Sequence, residues 1–337
     1  MIARTLWRLT HCELLTVRPH GQQRRLLFWR KGMKTNGFGS AFGNFSLVEP
    51  GTVLPAQPVP DSIQRPPWAE SGVPSDPPAE ADCKSKDDLG KMRRACRLAS
   101  KILHAAKQLA KPGVTTEEID RLVHRLTVQH GAYPSPLNYR GFPKSVCTSV
   151  NNVACHGIPD DRPLEDGDII NIDVTVFLDG HNGDCSETYP VGQVDQQGLR
   201  LIEAARRCRD DAIAICRPGV PFSEIGSRVE LSAGHLDHAV VPAFIGHGIG
   251  RYFHGPPEIY HCWNSYPGTM RPGMTFTIEP VISQGSREIV LLEDGWTAIS
   301  GDGSRSAQFE HTVLITEDGV EILTEHRPED DLAVEGS

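Results

Sequence analysis

The sequence predicts an α+β fold assembled from two copies of one helix–strand unit, and three observations predict it. The run Lys111-Pro-Gly-Val-Thr-Thr-Glu-Glu-Ile119 recurs as Arg217-Pro-Gly-Val-Pro-Phe-Ser-Glu-Ile225, an offset of 106 residues. The same offset carries Gly167 onto Gly273, Ile172 onto Ile278 and Asp173 onto Glu279. Each copy reads helix, Pro-Gly break, capped helix, connecting segment, then an apolar strand bearing an acid. The period exceeds the ~20–50 residues of solenoid units, so it indicates a duplicated half and not an array. Two such halves face each other across a pseudo-twofold axis, and an equivalent acid from each lines the cleft between them.

Taken in order, residues 1–48 hold eight Lys/Arg and one acid, Glu13, a net charge of +7; the rest carries 26 basic and 42 acidic residues, a net −16. Ile2, Leu6 and Leu9 share a helical face, apart from Arg4 and Arg8. A basic, acid-poor, amphipathic leader of this kind reads as a mitochondrial transit peptide over 1–48, with a plastid signal or a nucleic-acid-binding arm as rivals. The acidic body offers no matching basic patch, so no nucleic acid is expected on the folded domain. Residues 49–84 form a proline-rich extended linker, because proline fixes φ and withholds a donor. Ile63 and Trp68 are the apolar residues in it able to strap it to a surface.

Regular structure is expected over 85–330. A helix capped at Asp87 or Asp88 carries Leu89, Met92, Cys96, Ala99, Leu103, Ala106 and Leu109 at three- and four-residue steps, and ends before Lys111-Pro-Gly113. Thr115 and Glu118 form a capping box for a second helix that stops near Gly131. A proline-rich loop, Tyr133 to Pro143, leads into strand-like runs. The helix before the second break spans about Gln196–Cys216. No apolar run approaches ~18 residues, so no membrane partner is expected. Nine cysteines without a Cys-x-x-Cys pair argue for a reducing compartment, against a disulfide framework and against a zinc ribbon.

Five residues carry the chemistry: Asp173, Asp184, His247, Glu279 and Glu310. In the run 168–177, Ile170, Ile172, Val174 and Val176 share one strand face, which leaves Asp173 on the other with Asn171 and Thr175. If the turn around Leu178-Asp-Gly180 has a two-residue loop, Asp173 and Asp184 lie on one face, opposed or one diagonal step apart; a three-residue loop would separate them. Like charges so placed repel unless a cation sits between them. Thr275-Phe-Thr-Ile-Glu279 repeats the pattern, and Glu310 opens a further strand. His247 stands in Gly246-His-Gly-Ile-Gly250, where glycines let the backbone crowd a site; the run is not a Gly-x-Gly-x-x-Gly phosphate loop. Four carboxylates and two divalent cations close to neutrality without burying net charge. Oxygen-rich ligation with one histidine suits Mn, Fe, Co or Zn as a pair, and such a pair lowers the pKa of a shared water.

The segments that hold these residues resemble the type I methionine aminopeptidases, most closely their mitochondrial 1D form, over about 85–325. They are Tyr139-Arg-Gly-Phe-Pro-Lys-Ser-Val-Cys147, Cys155-His-Gly-Ile-Pro159, Asn171-Ile-Asp-Val174, Gly183-Asp-Cys-Ser-Glu-Thr188, Gly246-His-Gly-Ile-Gly-Arg-Tyr-Phe-His254, Phe276-Thr-Ile-Glu-Pro280 and Gln308-Phe-Glu-His311. The resemblance implies the pita-bread α+β fold. It implies that Asp173 chelates one ion, that His247 and Glu279 chelate the other, and that Asp184 and Glu310 bridge both. Glu279 would also take the proton of the attacking water. His254 would steady the scissile carbonyl, and His156 would meet the first peptide bond or amine and assist proton transfer. Both histidines begin His-Gly-x-Pro turns, which hold an imidazole at a loop rim.

The resemblance further implies a methionine pocket built from Tyr139, Phe142, Cys147, Phe253 and Trp296, where sulfur meets ring edges. It also implies a monovalent-cation site at the carbonyls of Asn151, Val153 and Ser306. The chain departs from the family in lacking the cytosolic relatives' N-terminal zinc-binding segment, in Cys185 beside a ligand, where threonine is common, and in Pro136, where bacterial members often carry cysteine. The activity implied is removal of the initiator methionine from nascent polypeptides by a monomer of the mitochondrial matrix, best when the second residue is small. The alternatives are an Xaa-Pro-type aminopeptidase of the same fold and a non-catalytic binding module, which would be expected to have lost ligands. No His-Glu-x-x-His or Gly-x-Ser-x-Gly run supports another hydrolase chemistry.

Overall fold

A computed structural model describes residues 41–327 and 331–332 of the chain. The leader is therefore outside the described residues except for 41–48. The helices are α1 (Trp68–Ser71), α2 (Lys86–Lys107), α3 (Thr116–Gln129), α4 (Gln196–Ala214) and α5 (Ser223–His235). The strands are β1 (Tyr133–Pro134), β2 (Cys147–Val150), β3 (Val153–Cys155), β4 (Ile169–Leu178), β5 (His181–Pro190), β6 (Ala239–Val240), β7 (Ile245–Gly248), β8 (Gly255–Tyr260), β9 (Thr275–Ile278), β10 (Val281–Ser283), β11 (Ile289–Leu291), β12 (Ala298–Ser300), β13 (Ser306–Gln308), β14 (Glu310–Ile315) and β15 (Val320–Ile322). One antiparallel sheet runs β1-β4-β5-β14-β9-β7-β8, with β2 also on β4 and β15 also on β14. Two three-stranded sheets, β13-β10-β6 and β11-β12-β3, flank it. None of the helices among the described residues is long and apolar enough to cross a membrane, and the eight described cysteines are free thiols.

The duplication is visible in the backbone. Gly113 N–H donates to the Leu164 carbonyl at 2.8 Å, and Leu164 N–H to that of Val114 at 2.8 Å; Gly219, Met270 and Val220, each 106 positions on, repeat both bonds at 2.9 Å. Isolated bridges Thr115↔Pro163 and Pro221↔Thr269 obey the same offset. Each half has its own apolar cluster on the helical side of the sheet. In the first, Ile102, Ile119 and Val123 of α2 and α3 pack on Ile170, Ile172, Val174 and Val176. In the second, Leu201, Ala205, Ile225 and Val229 of α4 and α5 pack on Phe276, Ile278, Val313 and Ile315. Burial of these faces leaves the alternate residues of the same strands to face the other way.

The capping box at Thr115 is formed in both directions. Two caps differ from expectation. Ser85, and not Asp87 or Asp88, caps α2: its hydroxyl accepts from Asp88 N, while the Asp88 carboxylate is engaged by Ser85 and Arg251. In the second copy Phe222 stands at the N-cap with helical φ/ψ and no side-chain bond, because Pro221-Phe222 supplies no acceptor oxygen where the first copy has Thr115.

The proline-rich stretch follows the surface and includes one turn of helix, α1, whose Trp68 is buried. Ile63 packs beside Tyr133, Leu137 and Phe177. Residues 42–48 also lie against the body. Arg305 Nη2 donates to the Phe42 carbonyl at 2.8 Å, Asn44 N to Asp195 at 2.6 Å, and Val48 N to Asn152 Oδ1 at 2.7 Å.

Candidate active site

The five acid and imidazole residues fall one to a strand on five consecutive strands. Asp173 is on β4, Asp184 on β5, Glu310 begins β14, Glu279 follows the last residue of β9, and His247 is on β7. The β4–β5 turn has the two-residue loop Asp179-Gly180, since Leu178 pairs with His181. Thr175 therefore pairs with Asp184 and Asp173 with Ser186, so the two aspartates are diagonal neighbours on one face. Cys185, one residue on, points into the helical core of the first half, away from the site.

Close approach explains the glycines around His247. A Cβ on Gly246 would come within 2.4 Å of the Thr277 carbonyl oxygen, so only glycine lets β7 lie this close to β9. His247 Nδ1 lies 3.2 Å from the Gly248 carbonyl, an obligate acceptor, which places the ring proton on Nδ1 and leaves Nε2 a bare lone pair. That lone pair faces Glu279 Oε1 at 3.5 Å and Asp184 Oδ2 at 3.8 Å. Burial lowers the imidazole pKa to about 4, so these are not ion pairs. Asp184, His247 and Glu310 bring donor atoms within 4.8 Å of one another.

All four carboxyls are held above the usual carboxylate range. Burial is the largest cause for each, reinforced at Asp173 by Asp184 and Glu279 and at Glu310 by Asp184, Glu279 and Asp173. Neutral hydroxyls orient two of them: Thr175 donates to Asp184 Oδ1 at 2.6 Å, and Thr277 to Glu279 Oε1 at 2.7 Å. Thr277 also accepts from His247 N at 2.9 Å, and Gln308 Nε2 donates to the Glu279 carbonyl at 3.0 Å. Two buried oxygens, Asp173 Oδ1 and Glu310 Oε1, have no hydrogen-bond partner. Orphaned acceptors among converging carboxylates beside an unprotonated imidazole are the donor set of a divalent cation, and the residues fit one.

These residues share a cavity of about 60 Å³ with the two histidines and the five methionine-pocket residues singled out in the sequence, His156, His254, Tyr139, Phe142, Cys147, Phe253 and Trp296; Asn151, Val153 and Ser306, expected to hold a monovalent cation, are not in its lining. Pro136 and Thr175 complete the lining. His156 takes a left-handed backbone, φ 55°, and its ring meets Phe244 and Trp296 edge-on. His254 precedes β8 and stacks on Phe253 at 4.1 Å; its Nδ1 lies 2.9 Å from the Tyr139 hydroxyl. Burial pushes the pKa of His156 down to about 4 and that of His254 well below the ordinary value, so both imidazoles are neutral.

Three contributors escaped sequence reasoning. Gln308 stood only inside a motif. His261, whose Nε2 accepts from Glu279 N at 3.1 Å, carries no local signal. Trp68 reaches the aromatic wall from a segment read as linker. Thr175 and Thr277 were readable as same-face neighbours two positions from an acid.

The model of metallopeptidase family M24 matches residues 90–317. The mouse (Mus musculus) protein named methionine aminopeptidase 1D, mitochondrial, is 53% identical over 316 residues, which cover 94% of this chain and 92% of that one. An Arabidopsis thaliana protein named methionine aminopeptidase 1B, chloroplastic, is 52% identical over 274 residues, covering 81% and 74%. The crystal structure of methionine aminopeptidase from Rickettsia prowazekii superposes with a TM-score of 0.71 at 45% identity, covering 73% of this chain and 100% of that one. The strand-by-strand acids, the pseudo-twofold and these likenesses agree: the chain belongs to metallopeptidase family M24 and, within it, to the type I methionine aminopeptidases.

Proposed function

We propose that this protein removes the initiator methionine from nascent polypeptides, preferentially where the second residue is small, inside mitochondria. The observation that carries the reading is the single cavity in which four carboxyl side chains and the His247 imidazole meet an aromatic and thiol wall. The mitochondrial location rests on the names of relatives, one of which is chloroplastic, and on the basic leader.

Asp173 would hold one divalent ion, His247 and Glu279 a second, and Asp184 and Glu310 both. When bound, such ions lower the pKa of a water and polarise a carbonyl. The chain's own groups do the rest. Glu279, braced by Thr277 and Gln308, receives the proton of the attacking water on a carboxylate oxygen. With the Tyr139 hydroxyl donating to Nδ1 of His254, Nε2 carries the proton and donates to the oxyanion formed from the scissile carbonyl. His156, neutral and lining the same cavity, orients the free amine. Tyr139, Phe142, Cys147, Phe253 and Trp296 take the thioether.

The test is direct. The purified protein is stripped of metal and titrated with Mn, Fe, Co or Zn, and methionine release from Met-Ala-Ser is compared with cleavage of Xaa-Pro peptides. Release from Met-Ala-Ser alone is expected, with turnover lowered by His254→Ala at unchanged metal content. No release with any metal would overturn the reading in favour of a binding module, and preferential Xaa-Pro cleavage in favour of a proline-directed peptidase.

A further inference from the structure

Trp68 lies in the proline-rich stretch, outside the span matched by the family model, yet it is 1% exposed and touches the wall of the cavity from behind. We propose that Trp68 is a positioning residue that sets substrate specificity, fixing Tyr139 and Phe253 as the wall that receives the methionine side chain; this rests on the methionine reading above.

Three rings form a closed triangle. The indole meets Tyr139 edge-on, centroids 5.2 Å apart at 88°, and stacks on Phe253 at 6.1 Å and 26°; Tyr139 and Phe253 meet at 4.9 Å. Neither cavity-facing ring can shift outward without displacing the indole, and Phe177 closes the far side at 6.2 Å. The indole is itself keyed in place. Its Nε1–H donates to the Ser135 carbonyl at 3.0 Å, Ser135 Oγ donates to Asn182 Oδ1 at 2.8 Å, and Asn182 Nδ2 donates to the Gly250 carbonyl at 3.0 Å. Trp68 is thereby referenced to the loop before Tyr139 and to the β7–β8 connection that carries Phe253.

A second observation points the same way. Tyr139 sits between two non-glycine residues in the left-handed region, Asn138 at φ 59° and Arg140 at φ 51°. Such backbone persists only where its surroundings over-determine it. The surroundings here are α1 and the residue after it: Asn138 Nδ2 donates to the Ala69 carbonyl at 3.1 Å, and Arg140 N to that of Gly72 at 2.9 Å. The stretch read as a linker therefore holds Tyr139 by backbone and by ring. Contacts with the substrate side chain that are equal in ground and transition states appear in KM and in selectivity, so that is where loss of Trp68 should register.

The experiment uses the full chain loaded with Mn, with Trp68→Ala, Trp68→Leu and Trp68→Phe assayed on Met-Ala-Ser and Leu-Ala-Ser beside melting temperature and metal content. We expect KM for Met-Ala-Ser to rise about tenfold in Trp68→Ala with kcat within about threefold, and the preference for methionine over leucine to fall about tenfold. Trp68→Phe should recover most of both. Trp68→Leu keeps much of the buried volume and carries the same expectation at smaller size where the alanine variant does not fold. Unchanged KM and selectivity in a folded, metal-loaded variant would overturn the proposal, as would an equal loss on both peptides carried in kcat. A wild-type protein that released no methionine would instead strike the methionine reading itself.

Discussion

Replacing Glu310 by glutamine tests whether the carboxylate cluster exists to hold cations. Glu310 is 2% exposed, its Oε1 is unpartnered, and its nearest oxygen lies within 4.8 Å of one from Asp184. Two ionised carboxylates at that separation repel by about 3–4 kcal/mol at an effective dielectric near 20. Proton uptake by the site relieves part of this, which leaves a net penalty of roughly 1–3 kcal/mol in the metal-free protein. Glu310→Gln removes one charge at nearly constant volume. The metal-free variant should therefore melt above the metal-free wild type, by roughly 2–4 °C for each kcal/mol relieved. With metal at about a hundredfold over its dissociation constant, the wild type gains about 2.7 kcal/mol. The variant, short of a bridging carboxylate, should gain little. The order of melting temperatures then reverses between chelator and metal, a crossing that differential scanning fluorimetry reads directly. If Glu310→Gln melts below wild type by the same margin in both conditions, Glu310 is a packing residue and the electrostatic reasoning fails.

Two further predictions rest on local geometry. Tyr139→Phe keeps the ring in its triangle and removes the hydroxyl 2.9 Å from His254 Nδ1; kcat should fall about tenfold with a loss of stability below about 1 kcal/mol, and unchanged turnover would remove Tyr139 from the orientation of His254. Asp88 is bonded by Ser85 and Arg251 at the start of α2, which hold its carboxyl well below the usual range, the serine bond being the larger cause. A depressed folded pKa contributes stability that is present above the unfolded value near 3.9 and is lost as pH falls through the folded value. Asp88→Asn should thus cost about 1 kcal/mol at pH 7 and progressively less on acidification below pH 4, measured by urea unfolding at several pH values; a cost independent of pH would refute the assignment.

What the sequence disclosed depended on the range of each interaction. That Asp173 and Asp184 share a face was readable on the condition of a two-residue turn, because strand alternation then decides the face; the observed Leu178–His181 pairing meets the condition and makes the two diagonal and not opposed. The capping box at Thr115 was readable because it is local. The cap at Ser85 was misplaced by two or three positions because Asp87, Asp88 and Ser85 are all competent caps, and what settles it is Arg251, 163 residues away, which engages Asp88. Phe222 shows the converse: a motif matched at Pro-Gly-Val and Glu-Ile while the residue that makes the cap was lost. The charge pattern set the leader's edge at residue 48, but charge is silent about Asn44 and Val48, whose backbone donors reach Asp195 and Asn152 more than 100 residues on. Trp68 and His261 are of this long-range kind.

The duplicated framework also explains how such a site is tolerated. A cluster of buried carboxylates opposes folding, and it can persist only where other burial outweighs it. Here the burial is supplied separately by each half. Asp173 and Asp184 ride on strands whose opposite faces are sealed by α2 and α3; Glu279 and Glu310 ride on strands sealed by α4 and α5. Alternation along a strand allows no compromise: once Ile172 and Val174 enter the helical core, Asp173 must face the other way, and Phe276 and Ile278 impose the same on Glu279. The acids are driven together by the cores behind them and not by any attraction of their own. It follows that weakening either core should lower stability with and without metal alike and leave cation affinity unchanged while the protein stays folded, whereas neutralising an acid should raise metal-free stability while lowering affinity. Those different couplings separate residues that build the site from residues that compose it.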